Sequence, residues 1–280
     1  MTFWSPFAED PVHVRITHRT TYRYQEPVKY TAQTLRLTPR RDGEQHTLAW
    51  AIQAPGRRAE QVDAHGNITH LLTLEEPHRE ISIVVTGIVE ITRTRDVLRE
   101  QGALSPLAYL APTALTAASD GIVALARDHL QGAGPLRRRL YDLAQGVCGS
   151  VRYRQGTTTV EDSAAAALQR GEGVCQDQAH VLIACCRSMG IPARYVSGYL
   201  CAGSRHAEET ASHAWVEAWL ADAQGWHGID VTHAEPAGAG HCRLAVGRDY
   251  LDAAPVRGVR RGGGAEVMDV SVSAASKDAQ

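Results

Sequence analysis

The chain has 280 residues, 44% hydrophobic and 21% charged, a balance that permits a buried core and excludes a wholly disordered polymer. A formal net charge of -2 gives no electrostatic reason to expect nucleic acid or an anionic membrane as partner. The longest apolar runs, such as Ile81 to Val85, are too short to cross a bilayer, and the start from Met1 to Pro6 lacks a basic n-region before an apolar stretch, so a cytoplasmic location is expected.

The first hundred residues read as β structure. Val12, Val14 and Ile16 alternate with His13, Arg15 and Thr17, and the segments 32–38, 46–53, 68–74 and 80–91 are rich in Thr, Val, Ile and Leu. Turn signals at Gln25, Glu26 and Pro27, at Ala54, Pro55 and Gly56, and at His65, Gly66 and Asn67 divide these runs into an antiparallel sandwich or barrel-like sheet. His18, Arg36 and Asn67 are polar residues within this region; solvent-face or turn positions are the expected reading, ahead of recognition.

Residues 101–118, with Pro106, Pro112 and many alanines, mark a linker between an N-terminal β domain (1–100) and a second domain (119–264), with 265–280 left as a C-terminal strand or tail. Ser119 suits an N-cap, and Ile122, Leu125, Ala126 and Leu130 recur at helical spacing. A second helix is predicted over 135–147, with Pro135 in its first turn and Leu136, Leu140, Leu143 and Val147 on one stripe. A third falls near 163–168. The arginines 257, 260 and 261 form a local basic cluster, expected as a solvated tail.

The next segment carries chemistry. Gly171 and Gly173 allow a tight approach to a helix start, Ala179, Leu182, Ile183, Cys186 and Met189 share one helical face, and Gly190 with Pro192 stops the helix. Cys175 therefore sits in the first turn, where unpaired backbone N–H groups and the positive helix end stabilise a thiolate and can receive an oxyanion. Of the six cysteines, Cys185 and Cys186 lie deep in the apolar half of this helix and read as packing. The set is spaced neither as a secreted disulfide framework nor as paired metal knuckles. Thirteen histidines raise a zinc site drawing on His233, His241 and Cys242 as an alternative, but no ligand spacing supports one, and no cofactor is expected.

A nucleophilic thiol needs a base and the base needs an orienting partner. His213 opens an alternating stretch 38 residues after Cys175, a turn follows at 221–225, and a second strand from Trp226 ends at Asp230. His213 and Asp230 share a face of this hairpin only if the turn holds an even number of residues, as with Leu220 opposite Gly225, or if a bulge intervenes. That face would also carry Trp215, Glu217 and Trp219, as a substrate groove or as covered core. Ala214, Val216, Ala218 and Leu220 would form the buried opposite side.

From Val12 to Gly258 the sequence resembles the transglutaminase-like family, a branch of the papain-like cysteine enzymes, in particular bacterial members with an N-terminal β region. The resemblance is carried by the run His18 to Tyr24, by Leu35 to Pro39 and by Gly66 and Asn67. It continues through Gly173 to His180, Gly190 to Tyr199, His213 to Glu217 and Gly247 to Gly258. It implies an α+β fold: the N-terminal sheet, then a core whose nucleophile stands at a helix N-terminus packed on an antiparallel sheet. It further implies Cys175 as nucleophile, His213 as base and then acid, and Asp230 as orienting carboxylate. The implied activity is acyl transfer from peptide or amide carbonyls through a thioester, with a cysteine peptidase or amidase ranked above a crosslinking protein-glutamine gamma-glutamyltransferase. A non-catalytic binding or assembly module of the same fold is the reading from another class, and the implied partner is a peptide or protein substrate. One departure is visible: where the family commonly follows its aspartate with Pro-Thr-Asn, this chain has Val231, Thr232 and His233.

Overall fold

The computed structural model describes residues 11–92, 97–99, 104–201 and 212–276. The start of the chain and nearly all of the polar loop expected at 201–212 lie outside the described residues.

The N-terminal half is a curled antiparallel sheet built on one long strand, β1 (Val12–Leu35), flanked by β2 (Gln45–Gln53), β3 (Arg57–Val62), β4 (Ile68–Leu74) and β5 (His78–Ile91) in the order β2-β5-β1-β4-β3. The expected turn at Gln25, Glu26 and Pro27 is instead a bulge inside β1: pairing with β5 runs to Arg23 opposite Glu80 and resumes at Val28 opposite His78. Proline, with no N–H to give to a ladder, is tolerated at such a bulge. Strand β3 was not legible in the sequence; its six residues are all exposed, so no alternation marks it. The turns at Gly56 and Gly66 follow expectation, with φ of 82° and 77°.

After a single 3-10 turn at Pro106–Tyr109 come α1 (Asp120–Leu130), α2 (Leu136–Ser150), the short strand β6 (Arg152–Tyr153), α3 (Ala164–Arg170), β7 (Glu172–Gly173) and α4 (Cys175–Ser188). Ser119 caps α1 by accepting from the Ile122 N–H, and Ser163 caps α3 in the same way from Ala166. Then follow β8 (Ala193–Leu200), β9 (Ser212–Leu220), β10 (Gly225–Asp230), β11 (Glu235–Pro236), β12 (His241–Gly247), α5 (Tyr250–Ala253), β13 (Val256–Gly262) and β14 (Glu266–Ser276). Strands β13 and β14 return to pair with β1, so Arg257, Arg260 and Arg261 stand on a strand and not on a solvated tail.

The second half centres on a five-stranded sheet, β11-β10-β9-β8-β12. Its inner residues, including Tyr195, Ala214, Val216, Ala218 and Ile229, pack on Ala179, Leu182, Ile183 and Cys186 of α4 and on α1 and α2. Tyr199, Cys242 and Leu244 of the same sheet instead join Val14, Ile16, Leu72 and Val85 in a second cluster. The N-terminal sheet thus covers the side of the core sheet that α4 leaves bare, giving sheet, sheet and helices in layers.

This covering explains polar residues expected at solvent-face or turn positions. His18, read as solvent-facing, is buried and hydrogen-bonds the Tyr199 hydroxyl at 2.8 Å across the layers. Asn67 is fully buried: its amide nitrogen donates to the Val246 carbonyl and its oxygen accepts the Val246 N–H, both at 2.8 Å. Arg36, read alongside them, is held by Asp63 at 3.4 Å.

Candidate active site

The nucleophile candidate is placed by the chain leading into α4. Gly171 takes a left-handed conformation (φ 75°) and ends α3, and β7 then lies beside β6, with Tyr153 opposite Gly173. A Cβ on Gly173 would stand 2.7 Å from the Asp177 Cβ, so only glycine lets the chain turn this closely. Asp177 accepts the Val174 N–H and the Thr158 hydroxyl on one oxygen, each at 2.8 Å, which ties down the first turn. Cys175 is the first helical residue, half-buried, and its amide and that of Gln176 have no acceptor within the helix. Cys185 and Cys186 are fully buried packing residues whose thiols burial pushes up.

Hairpin register brings the other two residues together. Leu220 pairs with Gly225 across the four-residue turn 221–224, and the ladder continues through Trp219 with Trp226 to Val216 with Ile229. An even turn puts His213 and Asp230 on one face, and the His213 Nε2 lies 2.8 Å from the Asp230 Oδ2. That bond leaves Nδ1 as the ring atom able to serve Cys175, which lies near enough to contribute to the raised pKa of His213. Thr232 donates to the Gln178 Oε1 at 2.8 Å, fastening the turn after Asp230 to α4.

Burial opposes charging His213, but the hydrogen bonds and negative charges of Asp230 and Cys175 outweigh it and raise the imidazole from 6.5 to about 10. Asp230 is fully buried; burial alone would raise it, and hydrogen bonds from His213, His233 and His241 hold it well below the ordinary carboxylate range. Such an arrangement favours the protonated form of His213 beside an ionised Asp230.

Two of these histidines entered the sequence reading only as candidate zinc ligands without supporting spacing. His233 Nδ1 and His241 Nε2 lie 2.8 and 2.9 Å from the Asp230 Oδ2. Cys242, grouped with them by the zinc reading, instead packs among apolar residues between the sheets. The ligand atoms of His213, Asp230 and His233 lie within 4.8 Å of one another, close enough to consider a metal ion. The N···O separations of 2.8 Å are those of hydrogen bonds, shorter than the ligand–ligand edge of about 3.4 Å that a tetrahedral zinc shell requires, and we read a hydrogen-bonded cluster.

The remaining polar residues of the His213 face are covered core. Trp215 is fully buried and stacks on the His213 ring at 6.3 Å, and Glu217 is paired with Arg194 at 2.7 Å and with Arg243 at 2.8 Å. A separate cleft of about 290 Å³ opens between the N-terminal sheet and the core, lined among others by Tyr22, Tyr24, Tyr250, Val259 and Met268. Tyr250 meets Tyr195 edge-on at 6.2 Å, and burial raises the Tyr195 hydroxyl.

A helix-start cysteine beside a histidine and a buried aspartate, on a sheet backed by α4, defines a papain-like fold. The comparisons specify it further. A profile of the bacterial transglutaminase-like N-terminal region matches residues 14–90, and one of the transglutaminase-like superfamily matches residues 123–231. An uncharacterised protein of Mycobacterium leprae is 32% identical over 274 residues, covering 92% of this chain and 97% of its own length. An uncharacterised protein of Mycobacterium tuberculosis is 32% identical over 285 residues, covering 92% and 91%. The crystal structure of a protein from Cytophaga hutchinsonii, described as a candidate cysteine protease, superposes with a TM-score of 0.79 at 24% identity, covering 98% of this chain and 93% of that one. The chain belongs to the transglutaminase-like family.

Proposed function

We propose that this protein is a cysteine hydrolase that cleaves peptide or amide bonds through a thioester on Cys175. The observation that supports the reading is Cys175 at the start of α4 together with the His213 ring held 2.8 Å from the buried Asp230 carboxylate. The thiolate attacks the carbonyl carbon, and the oxyanion is received by the unpaired amides at the start of α4. Collapse breaks the C–N bond, and the proton on His213 Nδ1 passes to the leaving amine. His213 then takes a proton from water, whose oxygen attacks the thioester; the acid departs and the thiol is restored. An amine in place of that water would give transamidation by the same three residues.

Incubating a peptide library with the wild-type protein and with Cys175→Ser, followed by mass spectrometry, tests the proposal. Hydrolysis or deamidation by the wild type alone is expected. Amine incorporation alone would convert the reading to a transferase, and unchanged peptides in both arms would favour a binding module. The cleft beside Tyr250 offers the substrate chain a place to lie. Val259→Trp, at an exposed position on its rim, is therefore expected to raise KM several-fold with little change in kcat.

A further inference from the structure

The Asp230 carboxylate does not serve His213 alone. Its Oδ2 is met at 2.8–2.9 Å by three imidazole nitrogens, His213 Nε2 from β9, His233 Nδ1 from the turn after β10, and His241 Nε2 from the start of β12. All three side chains are within 5% of full burial, so water does not substitute for them.

The tautomers follow from the partners. The Gly238 N–H donates to His241 Nδ1 at 3.0 Å, so that nitrogen must carry a lone pair, and the proton of a neutral His241 ring sits on Nε2 facing Asp230. His233 is aimed by a second contact: its own N–H reaches the other carboxylate oxygen of Asp230, at 3.4 Å. Ala234 next to it adopts φ 50°, a left-handed conformation that costs an alanine about 1 kcal/mol, so surrounding contacts impose this turn. The edge-on packing of the His241 ring against Trp215, which itself stacks on His213, fixes the third ring.

We propose that His233 and His241 are positioning residues that, as neutral donors sharing one Asp230 oxygen with His213, keep this carboxylate ionised and temper the pull of its charge on the catalytic imidazole. A carboxylate facing His213 alone would spend its full charge on holding the imidazolium, making a poor acid for the leaving amine. Dividing that charge among three donors leaves His213 able to give its proton up. The inference rests on the proposed role of His213. The charged or titratable groups around the cluster are Cys175 from α4, His213 from β9, and Glu217, Arg243, Asp42 and Glu44, which line a small cavity that also touches His241.

The test is nitrogen-15 NMR of the histidine rings, with chelator present, in the wild type and in His241→Leu, His241→Gln, His233→Ala and His233→Asn. In the wild type, His241 is expected as the Nε2–H tautomer and His233 as the Nδ1–H tautomer; finding His241 protonated on Nδ1 instead overturns the proposal without any variant. His241→Leu and His233→Ala each delete a donor, and each is expected to raise the His213 titration midpoint by about half a pH unit or more. His241→Gln and His233→Asn retain an N–H and should restore the wild-type midpoint. A His213 midpoint unmoved in a folded deletion variant contradicts the inference. None of these readings needs turnover: an intact ring network in a protein without hydrolysis would refute the functional proposal alone, and hydrolysis with an unmoved midpoint would refute this inference alone.

Discussion

Two buried carboxylates on the central hairpin, Glu217 of β9 and Asp230 of β10, are solved by the fold in opposite ways. Glu217 is surrounded by guanidinium groups, with Arg194 and Arg243 at 2.7 and 2.8 Å, and Asp42 holds the far side of Arg243. Asp230 is surrounded by imidazoles. Arginine is a permanent cation; even Arg40 beside that cluster, which burial and then Arg243 push down to about 9, stays charged at neutral pH. Imidazole gains and loses its proton in the range where an enzyme works. The arginine cluster is thus suited to bolting the N-terminal sheet to the core, and the histidine cluster to moving protons.

The widest separation between the two should come from Asp230→Asn. Turnover is expected to fall by roughly 10²–10⁴-fold, because the amide no longer selects the productive His213 tautomer, while thermal unfolding moves comparatively little. Equal losses in activity and stability would erase the distinction.

Glu217→Gln reverses the pattern. Two fully buried guanidinium groups lose their shared partner, and denaturant unfolding should show a loss of about 3–5 kcal/mol. Activity per folded molecule should be largely kept, and a stable but inactive variant would place Glu217 in the chemistry.

Titration of stability sharpens the comparison further. Burial lowers His18 from 6.5 to about 4 and His180 to about 3, so both are neutral in the fold and protonate more readily when unfolded. Their contribution is complete above pH 6.5 and is lost as pH falls toward 3, at up to ~1.4 kcal/mol per pH unit for each group. His213 has the opposite sign: raised to about 10, its contribution is complete below pH 6.5 and is lost as pH rises through 10. Unfolding free energy should therefore decline on both sides of neutrality, and His213→Gln should flatten the alkaline side.

Much of the site was legible in the sequence because it rests on local rules. Gly171, Gly173 and Gly190 bracket α4, and the parity of a four-residue turn is enough to put His213 and Asp230 on one face. What stayed hidden depends on contacts between layers. Alternation in β9 distinguishes two faces but does not say that the second is covered, which is why Glu217 was left between groove and core; His18 and Asn67 are polar side chains whose partners, Tyr199 and Val246, come from the other layer. His233 and His241 had no local signal at all. One sits in a turn and the other opens β12, and only the return of that strand to β8 brings His241 to the aspartate. Strand β3, exposed throughout, shows the converse: an element held by backbone pairing alone leaves no hydrophobic period to find.

The most direct measurement is the rate of Cys175 alkylation by iodoacetamide across pH 4–10, read by mass spectrometry at that residue, in the wild type and in His213→Ala. Faster alkylation of Cys175 in the wild type than in the variant is predicted for a thiol activated by the His213 imidazole. Superimposable free-thiol profiles in the two proteins would mean that sulfur and imidazole do not act as a pair.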